Sequence, residues 1–151
     1  MAHQRLRPFN TRDTYPEQNL DNDLSQGVVA RGTMVFLRGQ VSQDLETRES
    51  LHVGDAGKQA EKAMANIAML LEEAGSALDQ VCRFVVYLTD IGHREAVYRE
   101  MGRWHMGVHP CQTGIVVPPW PAPSGWSRLR PRQSSPTDRS AVRCPDALFP
   151  D

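Results

Sequence analysis

No run of 18 apolar residues occurs anywhere in the 151-residue sequence, so no segment of it suits a membrane-spanning helix. The first ten residues, MAHQRLRPFN, lack the apolar stretch of a secretory leader, and the expected location is the cytoplasm. Cysteine is scarce. Cys82, Cys111 and Cys144 fall in no Cys-x-x-Cys spacing, which argues against a disulfide framework or a structural zinc site and for reduced thiols. An excess of one charge is also missing: 17 Lys and Arg against 18 Asp and Glu leave a net charge of −1, too little for bulk attraction to nucleic acid. The local exception is Arg128, Arg130, Arg132, Arg139 and Arg143, set against the single acid Asp138. That stretch has no interleaved aromatic residues to stack bases, and no nucleic acid partner is expected.

What is present suits one globular domain, with 40% of residues hydrophobic. Apolar residues 28–30 and 34–37 flank Arg31-Gly32-Thr33, which predicts a β-hairpin. A polar loop is expected across residues 40–55. From 56 to 74, Ala60, Ala63, Met64, Ile67, Leu70, Leu71 and Ala74 recur at three- and four-residue spacing, the stripe of an amphipathic helix packed as core. Gly75 suits the left-handed position that ends such a helix, with Leu78 packing back over the last turn. Residues 81–89 are β-branched and aromatic, a strand. Ala96, Val97, Met101 and Trp104 mark one face of a second helix, closed by Pro110, and residues 113–117 make a further strand. The fold class is therefore α+β, with two helices covering one face of a single sheet and parallel neighbours within its strand-helix-strand unit. Residues 1–24 are expected to be an N-terminal arm, 25–117 the domain, and 118–151 an irregular tail.

The segments RGQVSQD, QAEKAMANIAMLLEEAGSALDQV, VVYLTDI and HPCQTGIVV resemble the RidA/YjgF family of reactive intermediate deaminases, once described as endoribonucleases. The resemblance implies a chorismate-mutase-like subunit and homotrimers with clefts between subunits. It implies hydrolysis of enamines and imines to ketones and ammonia, with no cofactor and no metal. The expected partners are a small carboxylate-bearing metabolite and further copies of the chain, with no membrane. Residue by residue, the family's carboxylate-clamping Arg corresponds to Gln112, which donates neutral hydrogen bonds but brings no charge. The family's Tyr before the first strand corresponds to Leu24, and its Asn past the LTD turn to Gly92. Gly39 and Gln40 match the loop whose backbone faces the cleft, while Arg38 replaces a small residue there. Arg38 either supplies the lost cation from another wall, or is a solvated strand-end arginine, or pairs across a subunit interface. Activity is expected to be impaired, and the alternative is a non-catalytic small-molecule binding or interaction protein of the same fold.

The family's last strand and its water-positioning Glu have no counterpart after Val117, where Pro118, Pro119, Pro121 and Pro123 should stop a β-ladder. Two readings account for this: a single lost base, which is favoured, or a natural divergent tail. Restoring one G ahead of permitted codons for residues 118–136 gives AALARPEWL and then VEIEAQAVIP, which resembles a family ending. The tail is thus expected to be frameshifted, with an edge of the sheet exposed and Trp120 or Trp126 folded back over the gap.

Other candidates are weaker. His105 and His109 lie four apart but are separated by a helix end, and a surface or interface position is expected for both rather than metal ligation. Cys111, beside Gln112, has no neighbouring base and is expected to be half-buried and inert. Tyr15 either reaches the cleft or pins the N-terminal arm.

Overall fold

A computed structural model describes residues 3–118 and the backbone of 146–149. The chain runs β1 (Gln4–Asn10), α1 (Thr11–Thr14), β2 (Asp23–Val29), α2 (Ala56–Glu73), β3 (Arg83–Leu88), α3 (Arg94–Trp104), β4 (Cys111–Val116) and β5 (Asp146–Phe149). This is the expected α+β class, but the strands form two ladders, β1-β2 and β4-β3-β5, instead of one sheet.

The core is built as the periodicity requires. Ala60, Ala63, Met64, Ile67 and Leu71 of α2 are buried, with Asp55 accepting from the Lys58 N–H at the N-terminus. Gly75, at φ +71°, closes the C-terminus: its N–H reaches the Glu72 carbonyl and that of Ser76 the Leu71 carbonyl, the paired bonds of a Schellman motif. Ala74 itself is exposed. On β3 the alternate residues Phe84, Val86 and Leu88 are buried against the helices, joined by Val97 and Met101 of α3. The second helix is rotated relative to expectation. Ala96 is exposed, and Tyr98 and Gly102 are buried with Val97 and Met101. Strands β3 and β4 pair in parallel, Arg83 opposite Cys111 through Leu88 opposite Val116, as a strand-helix-strand crossover favours.

Two expectations near the N-terminus are corrected. Residues 34–37 form no strand, and β2 pairs antiparallel with β1, Gln4 opposite Val29 through Asn10 opposite Asp23. Residues 1–24 are therefore no mere arm, since residues 4–10 fill an edge of the ladder. Gly32 does adopt φ +99°, so the turn is present, but a strand needs a ladder partner and that edge of β2 pairs elsewhere.

The ladder of β4 ends at Val116, and the Val117 N–H still reaches the Leu88 carbonyl before Pro118. The expected frameshift and the placing of Trp120 and Trp126 concern residues outside those described. The tail is not irregular throughout, however. Asp146–Phe149 pairs in parallel with β3, Val85 opposite Asp146 through Leu88 opposite Phe149, and occupies the edge expected to be exposed. An open strand edge presents N–H and C=O groups that another extended segment can satisfy.

Candidate functional site

Between the β1-β2 ladder on one side and α3 with β4 on the other lies an open cavity of about 290 Å3. Its position follows from local hydrogen bonding. Thr11 donates from Oγ1 to the Leu20 carbonyl at 3.0 Å and accepts the Asn22 N–H at 2.9 Å, closing the segment that connects β1 to β2. Asn10 caps α1 through the Arg12 N–H and donates to Asp21 and Asp23. Ser25 donates from Oγ to the His109 carbonyl at 2.7 Å, and Asp23 accepts the Gly107 N–H at 2.7 Å, which fixes β2 against the chain entering β4. Packing removes some solvent from Asp23, which alone would raise its pKa, yet the Gly107 N–H, the Asn10 amide and the nearby histidines together hold it below the ordinary value.

Two glycines let the walls approach. A Cβ on Gly114 would collide with the Tyr98 hydroxyl, and one on Gly102 would collide with Asn22 Oδ1 and the Asp21 carbonyl. The wall nearest α3 carries Arg94, whose guanidinium donates to Gln18 Oε1 at 3.0 Å and lies 4.8 Å from the centre of the Tyr98 ring. Asn22, just ahead of β2, and Gln112, on β4, line the same cavity. Asn22 is 1% exposed and both of its polar side-chain atoms are buried without a hydrogen-bond partner among the described residues, while the buried Gln112 amide interacts with the His105 imidazole. None of the described lining residues is acidic. Tyr15 both packs edge-on against Phe9, with centroids 6.2 Å apart, and lines the cavity, so its two expected roles coincide.

Behind Gln112 sits His105, fully buried with its ring 5.7 Å from that of Phe84. Burial strips the imidazolium of solvent and lowers its pKa to about 4, outweighing the pull of its own carbonyl, the Asp23 carboxylate and the Gln112 side chain. The expected surface or interface position of His105 is thus corrected: the end of α3 turns the ring into the core. His109 is partly exposed, with Nε2 3.7 Å from Asp23 Oδ1.

Of the residues singled out by sequence, Leu24 and Gln112 meet in this cavity. Arg38, Gly39 and Gln40 do not line it, and Gln40 donates back to the Arg38 carbonyl at 2.9 Å. Gly92 lies in a turn where its N–H bonds Asp90, two residues before Arg94, and Cys111 is half-buried beside Gln112. Sequence reasoning missed Arg94, Tyr98 and Asn22. The four-residue spacing of Arg94 and Tyr98 on one helical face was a usable signal, whereas Asn22 in LDND carried none.

Comparison with known proteins follows the same segments. Residues 17–123 match the family described as Endoribonuclease L-PSP. Protein DfrA of Myxococcus xanthus is 36% identical over 94 residues, which span 62% of this chain and 71% of that protein. A RutC family protein of Pyrococcus abyssi is 40% identical over 60 residues, 40% of this chain and only 46% of the relative. Among solved structures, RidA from an Antarctic Psychrobacter is 31% identical with a TM-score of 0.55, covering 65% of this chain and 77% of that one. A Rid family protein of Yersinia pestis, at 20% identity and a TM-score of 0.59 over 82% of this chain and 91% of that one, shares the fold.

Proposed function

Because the chain belongs to the endoribonuclease L-PSP family, which includes the RidA/YjgF proteins, we propose that it binds small carboxylate-bearing imines and enamines and hydrolyses them feebly. The observation that carries this proposal is that Arg94 and the Gln112 amide line one cavity. Gln112 lacks the charge of the family's clamp, and the Arg94 guanidinium, oriented by Gln18 and Tyr98, supplies a planar fork for a carboxylate within the same walls. Hydrolysis also needs a group that positions water and takes its proton. No acid is among the described lining residues, and loss of such a group costs on the order of 10²–10³ in rate. That absence favours the second role, a non-catalytic binder of the same metabolites.

We further propose that the working form is a homotrimer in the cytoplasm, in which Arg38, Gly39 and Gln40 of a neighbouring copy complete the cleft. Isothermal titration of the full chain with small 2-oxo and 2-amino acids tests the carboxylate site: Arg94→Met should weaken binding at least about tenfold. Equal affinity in that variant would overturn the assignment to Arg94, and a clean monomer mass by light scattering would overturn the trimer.

A further inference from the structure

Resting on that carboxylate site, we propose that Asn22 and Gln112 make the cavity select ligands with an N–H donor beside the carboxylate: small imino, amino or carboxamido acids over 2-oxo acids. Each of these amides offers donor hydrogens and an acceptor oxygen; both atoms of Asn22 are buried and unpaired, and Gln112 is buried with one end engaged by the His105 ring. Turning either amide end for end exchanges the two atoms but leaves the wall with the same sum of donors and acceptors. Arg94, lining the same cavity, is one-sided, because its guanidinium can only donate. Thr11 Oγ1 is committed, donating to Leu20 and accepting from Asn22 N–H. The Tyr98 hydroxyl can turn to either role. His105, uncharged behind Gln112, can serve one end of that amide and leaves the other for a ligand.

A 2-oxo acid presents lone pairs alone. It satisfies the guanidinium and the amide N–H groups but leaves the amide oxygens buried against a methyl group or another oxygen. An N–H on the ligand fills that vacancy, and sites built to hydrogen-bond a polar group reject the analogue that lacks it. The consequence for the proposed hydrolysis is directional. The nitrogen-bearing reactant is held more tightly than the ketone product, which is therefore released.

Oxamate and pyruvate test this cleanly, since they share size and carboxylate and differ in NH2 against CH3. Titration calorimetry on the full chain should find oxamate bound about tenfold more tightly. In Gln112→Met and Asn22→Leu both affinities should fall, oxamate's more than pyruvate's, so that the preference shrinks toward parity. The wild-type comparison stands whether or not the variants fold. Equal affinities in wild type overturn the donor preference and leave the carboxylate site intact. No binding of either compound at millimolar concentration overturns the carboxylate site itself and the donor preference with it. A preference that persists in both folded variants overturns its assignment to the amides.

Discussion

The two sides of α3 are built on opposite terms. Toward α2 and β3 it contributes Val97 and Met101 to a core whose members, Met64, Ile67, Phe84 and Leu88 among them, are apolar and closely packed. Toward β2 and β4 it meets Asn22, Gln112 and, just past its end, His105, buried polar groups that are at most partly paired. The first seam gains stability from every methylene it removes from water. The second leaves desolvated hydrogen-bonding capacity, which weakens the fold. One helix thus packs an apolar core with one face and lines a polar cavity with the other.

The largest effect should come from breaking the apolar seam. Phe84→Ala empties a fully buried aromatic site and should cost roughly 3–5 kcal/mol in urea unfolding. A loss under about 1 kcal/mol would mean that this core is loosely packed.

Acid should attack the polar seam next. The His105 pKa falls from 6.5 to about 4 on folding, so above pH 6.5 both states hold the neutral ring. As the pH falls from 6.5 toward 4, the unfolded chain takes up a proton that the folded chain refuses, and stability drops by on the order of 3 kcal/mol across that window. Asp23, held below its ordinary value, adds to the loss at still lower pH as it becomes protonated. Unfolding midpoints at pH 7 and pH 4.5 measure this, and His105→Gln should flatten the profile. An unchanged profile in that variant would assign the pH dependence to other groups.

Gly102→Ala sets two effects against each other. Alanine raises helix propensity by about 1 kcal/mol, but its methyl meets Asn22 and the backbone carbonyl of Asp21. Overpacking of that kind costs roughly 1–3 kcal/mol, so a net destabilisation is expected in thermal melts. A stabilised variant would show that β2 can move away from α3.

The smallest change should follow Gln112→Met, which replaces an amide with an apolar chain of similar shape. Stability should stay within about 1 kcal/mol of wild type, because the one interaction at stake is that with the His105 ring. A large destabilisation would reveal that the amide is fully paired, and would erase the contrast between the two seams.

Local regularities in the sequence determined the α+β class, α2 with its glycine stop, β3, β4 and their parallel pairing, because repeat spacing and capping residues act over a few positions. RidA/YjgF-like motifs determined the family, and they directed attention to Gln112 and Leu24. Tertiary structure alone decided that β1 pairs with β2 where residues 34–37 were expected, since competition for a strand edge depends on partners distant in sequence. It alone turned His105 inward. It also brought Asn22, Arg94 and Gln112 to one cavity from β2's approach, α3 and β4, residues up to 90 positions apart whose meeting no local pattern encodes. The Gly102 and Gly114 contacts give the physical reason: the cavity lies where two elements approach closely, and that distance is set by packing across the whole fold.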